Sequence, residues 1–142
     1  MPLFAACLAP AVSPIESTAL RSAEARFRVL DLGLYVEARV GQEAFWFLLD
    51  SGSPYTHLRP EISRRLPARS RWDISRRFLT DVRVLPKLSV GGAELGDVMV
   101  AVQPVRFGHP AIDGKPVAGV LGYNVLRMLS VGLDPNAGRM WA

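Results

Sequence analysis

Residues Phe45 to Ser53 read Phe-Trp-Phe-Leu-Leu-Asp-Ser-Gly-Ser, an unbroken apolar run that delivers one carboxylate, Asp50, into a tight turn. A run of this kind predicts a strand that is buried on both faces. Asp, Ser and Gly are ordinary turn residues, so the tripeptide alone also fits a simple strand-ending turn. An acid at the end of a buried strand is costly unless it is hydrogen-bonded, paired or used in chemistry. Asp50 is therefore the candidate functional carboxylate of the chain.

The sequence around this run favours an all-β domain. Leu34–Val40 alternates apolar and polar residues, as a half-buried strand does, and Gly41-Gln42-Glu43 supplies a turn. Eleven prolines and twelve glycines punctuate the short apolar runs, which is typical of a protein with many turns. The other elements expected from the pattern are strands over Phe27–Leu32, Ala44–Leu49, Arg83–Val90 and Val98–Val102, a short helix over Pro60–Leu66, and a loop over Phe107–Pro116.

Composition bounds the class of protein. The 142 residues suffice for one domain with a substantial core, and a hydrophobic content of 49% predicts a globular chain. No apolar run reaches the roughly 18 residues needed to span a membrane, so no membrane span is expected. The single cysteine, Cys7, excludes an intrachain disulfide and favours a reducing compartment such as the cytoplasm.

The N-terminal part differs from the rest in composition. Residues 1–15 carry no charged side chain, and residues 13–22 resemble a linker. We therefore expect an N-terminal extension or linker over 1–24 and a folded domain over 25–142. The uncharged start is also compatible with the remnant of a secretory signal, which leaves a secreted or periplasmic location, or a processed membrane-associated protein, as alternatives.

Almost all the basicity lies in one segment. The chain carries a net charge of +4, and Arg59–Arg77 holds seven arginines against only Glu61 and Asp73. Such a segment could attract an acidic polypeptide or nucleic acid, although a solvated surface is the ordinary interpretation. Only Trp72 and Phe78 are interleaved aromatic residues, and there is no nucleic-acid-binding motif, so no nucleic-acid partner is expected.

A second element lies downstream of the acid. Val120-Leu121-Gly122 is followed by a short helical pattern over Tyr123–Met128 and by Val131–Asp134, which begins a hairpin. Together with Asp50-Ser51-Gly52-Ser53, this order resembles the single-lobe, retroviral-type (retropepsin-like) aspartic proteases, and their bacterial members in particular. The resemblance covers about Phe27 to Trp141. It implies a mainly β, single-lobe closed β-barrel of the acid-protease type, with one or two short helices and a two-fold dimer.

The resemblance implies an activity as well as a fold. It indicates an aspartic endopeptidase that hydrolyses a polypeptide substrate with activated water and needs no metal or cofactor. Two carboxylates are required, and the chain contains one Asp-Ser-Gly, so a homodimer would pair Asp50 with its symmetry mate. Two carboxylates about 3 Å apart share one proton and titrate as a unit. His57 and His109 are expected to be structural or surface residues.

Supporting roles also follow from the resemblance. Gly52 would offer its N–H to Asp50, the Ser51 hydroxyl would bond across the two-fold to the partner loop, and Ser53 would bond the outer carboxylate oxygen. The second loop, Val120-Leu121-Gly122, would support the Asp loop and form a pocket wall. Further downstream, Asp134 is expected to cap the closing turn.

The flap is where the sequence departs from the family. Arg69–Asp81 would fold over the cleft, with Trp72 and Thr80 as candidate flap residues. Family flaps are usually rich in glycine, whereas no glycine occurs between Gly52 and Gly91. The alternative is therefore a catalytically inactive module of the same fold, which binds an acidic partner through Arg59–Arg77.

Overall fold

The structure is a computed structural model and describes residues 24–31, 33–66, 71–72 and 81–142. None of the helices in these ranges is long and apolar enough to cross a membrane. The elements are β1 (Ala25–Leu30), β2 (Gly33–Val40), β3 (Glu43–Leu49), β4 (Thr56–Leu58), α1 (Pro60–Ser63), β5 (Arg71–Trp72), β6 (Asp81–Val90), β7 (Ala93–Val102), β8 (Ala111–Ile112), β9 (Lys115–Leu121), α2 (Tyr123–Leu126), β10 (Gly132–Asp134) and β11 (Arg139–Trp141).

The described strands form one sheet that closes on itself. The strand order runs β10-β11-β1-β2-β3-β9-β4-β7-β6-β5, and β2 also pairs with β6. This additional pairing, which places Ala38 opposite Val90 and Val40 opposite Leu88, closes a barrel of β2, β3, β9, β4, β7 and β6. The expected mainly β closed barrel with short helices is thereby confirmed.

The strand that leads to Asp50 is buried on both faces, as its continuous apolar run predicts. Phe45 and Phe47 belong to the main core inside the barrel. Trp46 points the other way, into a second apolar cluster with Tyr35, Ile112 and Val117. All three aromatic side chains of β3 are at most 1% exposed, so β3 is held rigidly up to its last residues.

Two strand ends meet where the chain delivers the acid. β3 and β9 are parallel neighbours, and their last residues, Leu49 and Leu121, lie opposite each other. β4 lies on the other side of β9, with His57 opposite Val120. Because both parallel strands end at the same edge of the barrel, the turn after β3 and the loop after β9 are adjacent there.

The predicted loop over Phe107–Pro116 is wrong in its second half. β8 pairs with the start of β9, and Ala111 lies opposite Pro116. Asp113 and Gly114, the two central residues of the turn, both have positive φ values of 47° and 74°. Two such residues form the tight hairpin turn for which Asp-Gly is a preferred sequence.

A hairpin closes the chain and packs on its beginning. β11 pairs with both β10 and β1, so that Met140 lies opposite Leu133 on one side and Ala25 on the other. Asp134 Oδ1 accepts hydrogen bonds from the N–H groups of Asn136 and Ala137 at 3.0 and 3.1 Å. The prediction that Asp134 caps this turn is confirmed.

The N-terminal extension expected over residues 1–24 lies outside the described residues as far as residue 23.

Candidate active site

Asp50 lies at the tip of an exposed turn rather than inside the barrel. Its Oδ1 accepts a hydrogen bond from the N–H of Gly52 at 2.8 Å, as expected. The Ser53 N–H donates to the Asp50 carbonyl at 3.2 Å and closes the turn. The side chains of Asp50 and Ser51 are exposed to solvent. The turn therefore presents a carboxylate whose orientation is set by its own backbone.

The loop after β9 holds this turn in place. The Asp50 N–H donates to the Leu121 carbonyl at 3.1 Å, and the Tyr123 N–H donates to the Ser53 carbonyl at 2.7 Å. Val120 and Leu121 are buried, at 6% and 0% exposure, and Leu121 belongs to the main core. The structure brings together the two loops that were paired from the sequence, and the role of the second loop as a support and pocket wall stays a prediction.

Gly122 is at the closest approach between the two loops. A Cβ at this position would overlap the backbone of Tyr55, and a Cβ at Gly119 would overlap the carbonyl of His57. Both glycines are therefore required by close backbone contact with the strand β4 and the residue before it. Sequence analysis named Gly122 but did not single out Gly119.

A buried polar network fastens the second loop to β4. Thr56 is fully buried, and its hydroxyl accepts the Gly122 N–H at 3.1 Å and donates to Asn124 Oδ1 at 2.9 Å. The Thr56 N–H donates to the same Asn124 oxygen at 2.7 Å, while the Asn124 amide donates to the Met99 carbonyl at 2.9 Å. The N–H and the hydroxyl of Thr56 both have hydrogen-bond partners, so the network rigidifies the base of the site.

Ser53 has partners other than the carboxylate assigned to it by the family resemblance. Its Oγ donates to the Tyr55 carbonyl at 2.8 Å and lies 3.0 Å from His57 Nε2. The other ring nitrogen, Nδ1, lies 2.8 Å from the Gln103 amide nitrogen. His57 is partly buried, and this burial lowers its pKa although the Asp50 carboxylate raises it. The expected role of Ser53 toward Asp50 stays a prediction.

The place of His57 at the site was not predicted from the sequence. Its neighbours Thr56 and Leu58 are fully buried, so strand alternation puts the imidazole on the opposite face of β4. This alternation can be read from the sequence Thr56-His57-Leu58, in which His57 lies seven residues after Asp50. Gln103, at the end of the neighbouring strand β7, lies 46 positions from His57 and could not be linked to it from spacing alone.

The candidate flap is only partly within the described residues. The backbone of Trp72 pairs with Val82 of β6 as part of β5. Thr80 lies outside the described residues. The assignment of both residues to a flap therefore stays a prediction.

The described part of the arginine-rich segment is partly neutralised within the chain. Arg59 forms an ion pair with Glu61 and donates to the Val117 carbonyl at 3.2 Å. Arg65 pairs with Glu43 at 2.5 Å. These contacts occupy two of the guanidinium groups that the alternative function would use.

Neither a candidate metal-binding cluster nor the polar depression of the barrel lies at the Asp50 turn in the part of the chain that the structure describes. Among the described residues, no group of three or more His, Cys, Asp or Glu side chains could hold a metal ion. A polar depression of about 510 Å³ lies elsewhere, over the turns after β2 and β6. Its lining residues include Arg26, Arg39, Lys87 and Glu94, and none belongs to the Asp50 turn or to the loop after β9.

The comparisons with known proteins agree with this geometry. The aspartyl protease family profile matches residues 36–125, which include both loops, and the chain belongs to this family. Among curated proteins, none matches the chain significantly. The solved structures it resembles include a retropepsin-like aspartic protease from Rickettsia conorii, at 18% sequence identity and a TM-score of 0.55 over 83% of this chain and 87% of that one.

A second solved structure is more distant. The retroviral protease-like domain of Ddi1 from Leishmania major is 13% identical, with a TM-score of 0.45 over 80% of this chain and 88% of that one. The family profile and the Rickettsia conorii structure together establish the retropepsin-like fold that the order of motifs predicted.

Proposed function

We propose that this protein is an aspartic endopeptidase that hydrolyses polypeptides as a two-fold homodimer, with Asp50 of each subunit forming the catalytic pair. The observation that carries the proposal is the placement of Asp50. It ends a rigid strand, projects from an exposed turn, and has its backbone held by the loop after β9. Membership of the aspartyl protease family supports the same conclusion.

The chemistry follows from two carboxylates that share one proton. The ionised carboxylate takes a proton from a water molecule as the water oxygen attacks the peptide carbonyl carbon. The protonated carboxyl group gives its proton to the carbonyl oxygen, which produces a neutral tetrahedral diol. Collapse of the diol breaks the C–N bond, and the amine leaves with a proton returned through the pair. The Gly52 N–H, 2.8 Å from Asp50 Oδ1, orients that carboxylate.

Exposed apolar side chains near the closing hairpin support the dimer. Val131, Leu133 and Trp141 are 39%, 42% and 41% exposed, and Met128 just before them is 49% exposed. β10 stands at the end of the strand order, with one edge not paired by any described strand. Apolar surface beside an unpaired strand edge is the kind of surface that a second copy can cover. In this arrangement Ser51 would meet the partner loop across the two-fold.

The deciding experiment is cleavage of an unstructured protein such as casein between about pH 3 and pH 8. Wild type is compared with Asp50→Asn, which removes the ionisable group with little change in shape. We expect cleavage by wild type and a loss of at least about 100-fold in kcat/KM for the variant. Asp97→Asn is the matched control, because Asp97 is exposed on β7 and its positive φ of 49° is tolerated by asparagine.

The outcome that rejects the proposal is equal cleavage by wild type and Asp50→Asn. If folded, dimeric protein cleaves nothing, the proposal is also rejected, and the inactive module that binds an acidic partner becomes the better hypothesis. That hypothesis predicts binding that weakens steeply with salt and with replacement of Arg64 and Arg65 by serine.

A further inference from the structure

A chain of side-chain hydrogen bonds leads from the end of β7 to the Asp50 turn. Gln103 follows β7, His57 projects from β4, and Ser53 is the last residue of the turn itself. The distances are 2.8 Å from the Gln103 amide nitrogen to His57 Nδ1 and 3.0 Å from His57 Nε2 to Ser53 Oγ. Ser53 and His57 lie 4 positions apart, whereas Gln103 lies 46 positions from His57 and is brought to it by the pairing of β4 with β7.

The direction of each bond follows from the partners at the two ends. The hydroxyl of Ser53 has one proton, and its 2.8 Å contact with the Tyr55 carbonyl, which can only accept, uses that proton. Ser53 Oγ must then accept from His57 Nε2–H. His57 Nδ1 carries the remaining lone pair and accepts from the Gln103 amide N–H. One neutral tautomer of His57, protonated on Nε2, satisfies every bond.

The bond to Ser53 is independent of the charge on His57. A protonated ring still donates from Nε2 to Ser53 Oγ, and rotation of the Gln103 amide by about 180° turns its oxygen toward an Nδ1–H. Burial favours the neutral ring, because it lowers the pKa of His57 more than the Asp50 carboxylate raises it.

Ser53 connects the His57 side chain to the backbone of the Asp50 turn. Its N–H donates to the Asp50 carbonyl at 3.2 Å, and its carbonyl accepts from Tyr123 at 2.7 Å. A change in the position of the Ser53 side chain therefore acts on the residue that closes the turn around Asp50.

We propose that His57 is a positioning residue: its Nε2–H holds Ser53 and with it the Asp50 turn, while Gln103 fixes the imidazole through Nδ1. The inference rests on the proposed function and adds a residue outside the Asp50 turn and the loop after β9. Loss of the Nε2–H bond should therefore lower kcat although the catalytic carboxylate is unchanged.

The test compares kcat and KM of wild type, His57→Gln and His57→Phe at the pH of highest activity. Glutamine can place an amide N–H near the position of Nε2 and donate to Ser53. We expect His57→Gln to keep a kcat close to that of wild type. His57→Phe should lose about 10- to 100-fold in kcat, because misplacement of a catalytic group has effects of that size. His109→Gln is the control, since exposed His109 bonds Asp31 at 2.8 Å.

Nuclear magnetic resonance gives a readout that does not depend on cleavage. The ring nitrogen shifts of His57 should show the Nε2-protonated tautomer. The backbone amide signals of Gly52 and Ser53 should move in His57→Phe and stay close to their wild-type positions in His57→Gln. A tautomer protonated on Nδ1, or Gly52 and Ser53 signals that are the same in wild type and His57→Phe, overturns the inference.

The two proposals can fail separately. Cleavage that depends on Asp50, with the same kcat in wild type and His57→Phe, overturns the inference and leaves the proposed function standing. Cleavage that survives Asp50→Asn rejects the proposed function, and the catalytic part of the inference with it.

Discussion

The backbone N–H of Asp50 donates to the carbonyl of Leu121 at 3.1 Å, a hydrogen bond between residues 71 positions apart. It joins the first residue after β3 to the last residue of β9, where these parallel strands end together. The acid is therefore held by a buried strand on one side and by a second loop on the other. Asp50 is exposed for chemistry while its backbone is fixed by the barrel.

If the active site is shared between two chains, mixing wild type with Asp50→Asn should reduce activity. After random exchange of subunits in an equal mixture, about one quarter of the dimers contain two wild-type chains, so activity falls to about half that of the unmixed wild type. The measurement is casein cleavage before and after exchange, with Asp97→Asn in place of Asp50→Asn as the control. Unchanged activity after verified exchange would show that each subunit works alone.

Replacing the apolar side chains of the closing hairpin should weaken the dimer. Leu133→Ser and Trp141→Ser each remove apolar surface from the proposed interface, and we expect the dissociation constant to rise at least about tenfold. Sedimentation velocity at several concentrations measures the change. Val29→Ser is the matched control, because Val29 is 66% exposed and lies outside the hairpin, on β1. An equal effect of all three substitutions on the dissociation constant would show that the hairpin is not part of the interface.

Gly122→Ala should destabilise the fold, because the added methyl group would overlap the backbone of Tyr55. Overpacking against a backbone that cannot move aside costs about 1–3 kcal/mol or more. The free energy of unfolding, measured in urea, is compared with that of Gly96→Ala. At Gly96 the nearest atom to a new Cβ would be the Pro86 carbonyl oxygen at 3.9 Å, so this control should change stability much less. Equal stability of the two variants would contradict the close approach.

Glu37 should contribute stability that is lost in acid. Burial raises the pKa of this carboxyl, but hydrogen bonds from Lys115 and Arg26 at 2.6 and 2.5 Å outweigh it and hold the pKa below the ordinary value of 4.5. Because the folded-state pKa is depressed, the contribution is present above about pH 4.5 and disappears as the pH falls through the folded-state pKa.

The measurement for Glu37 is the free energy of unfolding between about pH 3 and pH 7. Glu37→Gln should be less stable than wild type at neutral pH, and the difference should shrink toward pH 3 as Glu37 becomes protonated. Glu43→Gln is the control, since Glu43 forms an exposed pair with Arg65 and should matter little. A difference that stays constant over the whole range would assign the effect of Glu37 to packing instead.

Local pattern was enough to predict the strand, the acid and the class of fold. The run Phe45–Leu49 is apolar at every position because both faces of β3 are covered, and that requirement is visible in the sequence. The paired motifs around Asp50 and Gly122 then indicated the family. The short hairpin at Asp113-Gly114 carried an equally local signal, which was overlooked when residues 107–116 were interpreted as a loop.

The remaining features depend on distance in space rather than on local pattern. The closure of β2 on β6 joins residues about 50 positions apart, and no periodicity reports which strands will meet. Gly119 is needed because β4 crosses it closely, and His57 bonds Ser53 and Gln103 because the barrel folds them onto one face. The sequence by itself determined a buried β-strand that presents one carboxylate on a tight turn. Only the tertiary structure decided what holds that turn, because hydrogen-bond partners are selected by proximity after the barrel closes.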